Sequence, residues 1–157
     1  MRAKPASERG FTLVEIMVTI SILAVLAGLS LPMFGSLVAS NRTRAASYSL
    51  VSALALARSE AVKRNAQVSV LPSDTGWQDG WRVEAAGSAL SANGPVNGLV
   101  MTGPLAGVSY QPNGRLSSPG VVRFVVSATS GYTRCIVIDL GGRASLNPVE
   151  HHNGNCS

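Results

Sequence analysis

The chain has 157 residues, a net charge of +5, 46% hydrophobic residues and only 5% aromatic residues. Setting aside the first ten residues and the strongly apolar stretch that follows them leaves about 125 residues, the size of one ordinary domain. The excess of cations is too small, by itself, to indicate a surface that follows a nucleic-acid backbone. No nucleophile, base and acid are arranged for catalysis and no phosphate-binding loop is recognisable, so we expect no enzyme and no cofactor.

Residues 11–31 form the apolar stretch, and Glu15 is its only charged residue. As a helix that rises about 1.5 Å per residue, the stretch is roughly 31 Å long, enough to span a bilayer. Arg2, Lys4 and Arg9 precede it and predict a cytoplasmic N-terminus. A cleaved secretory signal, a plain signal anchor and a leader cut ahead of the apolar stretch are the alternatives, and they differ in the cleavage site.

Glu15 argues against a secretory signal. A carboxylate costs about 2.5 to 3.5 kcal/mol near the bilayer centre on insertion scales, and less toward the end of a helix, so it needs compensation. Cleavage between Gly10 and Phe11 would create a positive amine at Phe11, one helical turn from Glu15. The cut ahead of the apolar stretch therefore gives the carboxylate a partner.

Residues 9–15, RGFTLVE, are the junction between a basic leader and the apolar stretch. The leader ends in glycine, and the stretch begins with phenylalanine and has an early glutamate. This segment resembles the class III leader of type IV prepilins. The resemblance implies that a prepilin peptidase cuts after Gly10 and methylates the amine of Phe11. It also implies that Glu15 guides docking of the subunit into a filament.

Pro32 directly follows the apolar stretch. Proline removes a helical hydrogen bond and clashes with the preceding turn, so it should kink the helix or melt it locally. The resemblance to pilins implies that this region loosens in the assembled filament. A simple helix break at the membrane exit is an equal interpretation.

Residues 33–66 have an amphipathic pattern and predict that the helix continues into a head domain. The apolar stripe that we expect to pack on a sheet consists of Val38, Ala45, Tyr48, Val51, Leu54, Ala55 and Val62. Glu60 can pair with Lys63 or Arg64 on the solvent face, which contributes a few tenths of a kcal/mol.

Beyond Asn65 the periodicity changes to short β-like runs separated by turn clusters rich in Gly, Pro, Asn and Ser. The runs predict six strands, at 67–71, 81–85, 99–102, 108–111, 121–126 and 135–140, in an antiparallel head. The turn clusters lie at 91–95, 112–114 and 117–120. The expected organisation is a leader at 1–10, a transmembrane and filament-core helix at 11–32, an amphipathic helix at 33–66 and a β-rich head at 67–157.

Segments spread over the mature chain resemble the GspH/FimT branch of minor pilins and pseudopilins. They are 57–65, Trp77 with Gly80 and Trp81, 112–115, and 135–138 leading to Gly142 and Arg143. The resemblance implies the α+β type IV pilin fold. We interpret both tryptophans as core or turn-packing residues that each need a partner for the indole N–H, and Gly80 and Gly114 as turn residues. We expect Arg58, Glu60 and Lys63 to form a solvated helix face.

Some members of this branch bind DNA through a Gly-Arg-x-Arg segment near the C-terminus. Here the corresponding residues are Gly142, Arg143, Ala144 and Ser145, so a serine stands at the second arginine position. The resemblance makes Arg143 a possible DNA contact, and the serine argues against one.

Cys135 and Cys156 have no zinc-like spacing and predict a disulfide in an oxidising compartment; the alternative is two independent thiols. His151 and His152 could bind a metal together with Glu150 and Cys156. We expect no metal, because Cys156 is better explained by the disulfide and the histidines by a C-terminal tail.

The sequence therefore predicts a structural minor pilin that helps to initiate or cap a type IV pilus. A type II secretion pseudopilin is the first alternative, and a DNA-binding minor pilin for natural transformation is the second. The expected partners are the prepilin peptidase, other major and minor pilins or pseudopilins, and the bacterial inner membrane before assembly. We expect a single membrane pass with a periplasmic head, followed by incorporation into a pilus or pseudopilus.

Overall fold

The computed structural model describes residues 10–129, 132–148 and 156, with the side chains at 29–34 and 147–148 left undescribed. The chain divides into two compact units, Met1–Ser36 and Leu37–Ser157. Helix α1, Leu13–Arg64, contributes residues to both units.

In the first unit, residues 10–12 precede the helix and Thr12 caps its N-terminus. The Glu15 backbone N–H donates to Thr12 Oγ1 at 3.3 Å, and the Ile16 N–H donates to the Thr12 carbonyl at 3.2 Å. A threonine followed three residues later by glutamate is the pattern of an N-terminal capping box. All side chains at 10–28 are exposed, including the large apolar ones.

At its other end, α1 stops because Asn65 adopts a left-handed conformation with φ 50°. The Asn65 N–H donates to the Val62 carbonyl at 3.3 Å, and the Ala66 N–H donates to the Ala61 carbonyl at 3.2 Å. This pair of bonds is the Schellman motif, in which asparagine can replace the usual glycine. The motif turns the chain directly into the first strand.

The second unit contains eight strands in two antiparallel sheets. They are β1 Val68–Ser73, β2 Gly76–Ala85, β3 Ser88–Asn93, β4 Leu99–Thr102, β5 Val108–Tyr110, β6 Val122–Ala128, β7 Thr133–Ile138 and β8 Ala144–Pro148. The strand order is β3-β2-β1-β5 in one sheet and β4-β6-β7-β8 in the other. The predicted α+β architecture with an antiparallel head is confirmed.

The head has one hydrophobic core, to which α1 and both sheets contribute. Val68 and Val70 alternate with outward residues on β1, as Phe124 and Val126 do on β6. Side chains two positions apart lie on the same face of a strand, so this alternation directs one face of each sheet inward. The inward faces share a single cluster with Leu50 and its neighbours on α1.

The six predicted strands all exist, β4 with the predicted bounds and the other five with shifted ends, but two strands were not predicted. These are β3 and β8, and positions 91–93, which the sequence assigned to a turn cluster, belong to β3. Both strands lie at the edge of their sheet. An edge strand packs less of its surface, so its sequence needs few of the β-branched and aromatic residues from which a strand is recognised.

The apolar stripe predicted for the head half of α1 is wrong. Tyr48 and Val62 are each 54% exposed and Val38 is 44% exposed, whereas only Leu54 of the predicted set is fully buried. The buried face consists mainly of small residues with two leucines: Thr43, Ala46, Ser47, Leu50, Ala53, Leu54, Ala57 and Ala61. Small side chains carry little hydrophobic signal, so the larger exposed residues dominated the pattern.

Candidate functional site

The predicted cleavage site lies outside the helix. Gly10 is exposed and has open space around its Cα, and Phe11 is 77% exposed. Both residues precede Leu13, where the helical hydrogen bonds begin. A peptidase would meet non-helical backbone at this position, although cleavage itself stays a prediction.

Glu15 and Pro32, the two residues predicted to act in assembly, are both on α1. Glu15 is exposed in the first turn of the helix, beside the Thr12 cap. Helix α1 continues through Pro32, so it does not show the helix break that was one interpretation of this proline. Loosening around Pro32 in a filament stays a prediction.

Within the part of the chain that the structure describes, no helix is long and apolar enough to cross a membrane. The predicted span of 11–31 includes positions 29–31, whose side chains are among those not described.

The predicted disulfide is confirmed. Cys135 and Cys156 are bonded, with their Cα atoms 5.7 Å apart. Cys135 is 1% exposed on β7, an inner strand that pairs with both β6 and β8. The bond therefore attaches position 156 to the interior of a sheet. His151, His152 and Glu150 lie outside the described residues, so the structure does not bear on their metal binding.

Three of the segments that resemble the GspH/FimT branch meet at one place, which we call the turn junction. It consists of Arg58 on α1 and the turns at 111–115 and 139–143. Arg58 Nε donates to the Gly114 carbonyl and its Nη2 to the Gly141 carbonyl, each at 3.0 Å. The expectation of a solvated helix face is therefore wrong for Arg58, which joins α1 to a turn from each sheet.

In the turn junction, Gly142 has no room for a side chain and Gly114 has little. Gly142 has φ +79°, and an added Cβ would lie 2.3 Å from the Gly114 carbonyl oxygen and 3.0 Å from Tyr110 Cε1. Gly114 has φ +74° and would place a Cβ 3.1 Å from Val62 Cγ2. The close approach of the two turns requires glycine at 142, and the backbone conformation favours it at both positions.

Arg143 is exposed next to this buried glycine. Its N–H donates to Asp139 Oδ1 at 2.9 Å, and its carbonyl accepts from the Asp139 N–H at 3.1 Å, which closes the turn between β7 and β8. No described residue pairs with its guanidinium. Ser145 donates its hydroxyl to the Val137 carbonyl at 3.2 Å, so the residue at the second arginine position serves the β7–β8 pairing.

Tyr110 lies beneath the turn junction and is fully buried, and its hydroxyl has no hydrogen-bond partner among the described residues. Burial raises the pKa of Tyr110 to about 12, with a further small increase from Asp139 and an opposing effect of Arg58. The neutral phenol is therefore strongly favoured in the folded protein.

Glu60 pairs with Arg64 and Lys63, as the sequence predicted. The hydrogen bond from Arg64 lowers the pKa of Glu60, assisted by the charge of Lys63 and opposed by desolvation. The Lys63 and Arg64 side chains are 77% and 48% exposed and that of Glu60 is 14% exposed, so these pairs lie at the boundary with solvent, where an ion pair contributes little.

The two tryptophans are core residues, as expected. Trp77 meets Phe124 edge to face, with ring centroids 4.7 Å apart, and its indole N–H donates to the Pro104 carbonyl at 3.1 Å. The Trp81 indole has no partner among the described residues. Gly80 is not a turn residue: it lies within β2 with φ +116°, where a Cβ would be 2.4 Å from the Asn93 carbonyl oxygen.

A capped apolar helix with a carboxylate in its first turn, followed by antiparallel sheets, defines a pilin-type subunit. Residues 46–142 match the family model of the type II transport protein GspH, and residues 5–31 match the prokaryotic N-terminal methylation motif. The chain therefore belongs to the GspH family. No curated protein sequence matches it.

Two crystal structures of the type IV minor pilin FimU from Pseudomonas aeruginosa PAO1 are similar to this chain. The first is 27% identical, with a TM-score of 0.60, over 69% of this chain and 90% of the FimU chain. The second is 28% identical, with a TM-score of 0.57, over 67% of this chain and 92% of the FimU chain. Together with the family match, these similarities establish a minor pilin or pseudopilin.

Proposed function

We propose that this chain is a structural minor pilin that helps to initiate or cap assembly of a type IV pilus. The observation that carries the proposal is the similarity to minor pilin FimU over nine-tenths of that protein. The type II secretion pseudopilin remains the alternative, because the matching family model is that of a type II transport protein.

A deletion in the native bacterium separates the two functions. Loss of surface pili with normal secretion supports the minor pilin, and restoration by the full-length gene is the control. Loss of secretion with normal pili would favour the pseudopilin.

In the proposed pathway, the chain enters the inner membrane through residues 11–31 with its N-terminus in the cytoplasm and its head in the periplasm. The basic residues of the leader support this orientation, and the disulfide fits an oxidising compartment. A prepilin peptidase then cuts after Gly10 and methylates Phe11, and the subunit joins other pilins.

Processing is tested by Gly10→Ala, which should leave the chain uncut. Gly28→Ala is the matched control, since Gly28 is also exposed with open space around it. Mass spectrometry of chains from the membrane should find a mature N-terminus at Phe11 in the wild type and in the control. A mature chain that begins elsewhere contradicts the proposed cleavage.

Assembly is tested by Glu15→Ala. The change removes a charge that is costly in a bilayer, so insertion should be unharmed while incorporation into filaments decreases. Immunoblots of membrane and filament fractions measure both quantities. Wild-type incorporation of the variant would mean that Glu15 only pairs locally, with its own amine or with the helix N-terminus.

DNA binding through Arg143 is the second candidate function. Its support is the exposed guanidinium at the C-terminal Gly-Arg segment, which has no partner among the described residues. A gel shift with the full-length chain in detergent, compared with Arg143→Ala, tests it. Binding that weakens with salt and with the substitution would favour a DNA receptor.

A further inference from the structure

An open groove of about 560 Å³ lies between the outward face of α1 and the turn junction. Val51, Ala55 and Val62 on the helix and Ala144 at the start of β8 supply its apolar surface. Val62 is 54% exposed and Ala55 is also exposed. Single exposed apolar residues are ordinary, but a concave apolar surface marks a site for another molecule.

The charged residues that line the groove are all positive. Among the described residues that line it, Arg58, Lys63 and Arg143 carry charge and no Asp or Glu is present. Arg58 is held by the two carbonyls of the turn junction. Lys63 lies 3.6 Å from Glu60 but its side chain is 77% exposed, and Arg143 has no described partner. An occupant with a carboxylate beside apolar side chains would complement this surface.

A nucleic acid fits the groove less well than a protein segment. Binding that follows a phosphate backbone draws on a series of cations, and base stacking needs aromatic faces. This groove offers one unpaired guanidinium, one shared ammonium and no aromatic side chain among its described lining residues. Its apolar surface would be left uncovered by phosphates.

We propose that this groove is the docking site for a segment of a neighbouring pilin-type subunit that carries an acidic residue beside apolar ones. The proposal rests on the proposed function, because it needs an assembled filament. Arg143 and Lys63 would meet the carboxylate, and the helix side chains would cover the apolar part. The segment comes from a subunit of the same filament, which keeps the two partners side by side.

The test uses the full-length chain in filaments of the native bacterium. Ala55→Cys adds a single reactive thiol to the groove, because both natural cysteines are in the disulfide. Ala106→Cys, exposed in a turn away from the groove, is the matched control. A short cross-linker with a thiol-reactive arm and a photoreactive arm, which inserts into C–H, N–H or O–H bonds near it, followed by peptide mass spectrometry, should join position 55, but not 106, to an Asp- or Glu-containing segment of a pilin-type subunit.

Charge reversal supplies the second arm. Arg143→Glu should reduce the yield of this cross-link about tenfold, since like charges across an interface repel. Arg123→Glu, an exposed arginine on β6 outside the groove, should leave it unchanged. A product joined to any other kind of protein, or a yield insensitive to Arg143→Glu, overturns the proposal.

These experiments distinguish failure of the docking proposal from failure of the proposed minor pilin function. A chain that enters filaments normally but gives no cross-link at position 55 overturns the groove and leaves the minor pilin function standing. A chain absent from both pili and pseudopili overturns both. Salt-sensitive DNA binding that Arg143→Glu abolishes, without the cross-link, replaces the subunit by DNA as the occupant.

Discussion

The two faces of α1 within the head are built from opposite kinds of residue. The buried face has alanine, serine and threonine around Leu50 and Leu54, whereas the outward face presents Tyr48 and Val62 to solvent. The buried hydroxyls are satisfied within the helix: Thr43 donates to the Ala39 carbonyl at 2.9 Å and Ser47 donates to the Thr43 carbonyl at 2.7 Å.

This difference shows that, in this helix, a large apolar side chain is not a sign of burial. A helix lined with small side chains can lie close to its neighbours, where dense packing replaces large hydrophobic groups. The larger residues of the outward face do not stabilise the isolated head in the same way. They are available for a partner, which is consistent with the groove beside them.

The largest expected effect comes from a matched pair of leucines. Leu54→Ala should lower the free energy of unfolding by about 2 to 5 kcal/mol, because Leu54 is fully buried and a cavity would remain. Leu56→Ala, at a position 36% exposed, should cost less than about 1.5 kcal/mol. Urea denaturation followed by tryptophan fluorescence measures both. Equal losses would contradict the difference between the faces.

The sequence predicted the pilin class because the leader chemistry is local: Gly10, Phe11 and Glu15 lie within one short segment, 10–15. It also predicted the central strands, whose valines alternate strongly. The turn junction could not be predicted from pattern alone, since Arg58, Gly114 and Gly142 meet only after both sheets have formed. The groove was missed for the same reason. The stripe predicted from the sequence did contain large apolar residues that lie on the outward face of α1, but it was assigned to the buried face.

Gly142 tests the border between the faces, where the turn junction meets α1, and Gly87 in the turn between β2 and β3 is its matched control. Both have φ +79°, but a Cβ at Gly87 meets nothing within 4 Å. Gly142→Ala should cost about 2 to 4 kcal/mol from backbone strain and the clash with Gly114, whereas Gly87→Ala should cost about 1 kcal/mol. Thermal unfolding of the two variants separates these contributions, and similar costs would mean that the turns are not closely packed.

Arg58 gives the next smaller effect. Arg58→Ala removes two hydrogen bonds that join α1 to both sheets, and we expect a loss of about 1 to 3 kcal/mol. Arg58→Lys should recover only part of this loss, because an ammonium cannot reproduce the forked geometry of a guanidinium. Arg44→Ala, at an exposed position of the same helix, is the control and should change stability by less than about 0.5 kcal/mol.

The smallest effect at neutral pH should come from Tyr110→Phe, which removes a buried hydroxyl without removing a hydrogen bond to a described residue. We expect a change within about 1 kcal/mol at pH 7, in the stabilising direction if the hydroxyl costs desolvation energy. This substitution keeps the ring against Gly142 and so isolates the hydroxyl from the packing of the turn junction.

Alkaline pH should increase the difference in stability between Tyr110→Phe and the wild type. The pKa of Tyr110 is about 12 in the folded protein and 10.0 without the fold, so the unfolded chain loses this proton first as pH rises. The contribution of the neutral Tyr110 phenol to the free energy of unfolding is therefore complete below pH 10. It declines between about pH 10 and 12, with roughly 1 kcal/mol lost near pH 11. Tyr110→Phe lacks this proton, so its stability relative to wild type should rise over that interval. Urea denaturation at pH 8 and pH 11 measures the change, and parallel behaviour of the two proteins would show that Tyr110 is not shielded from water.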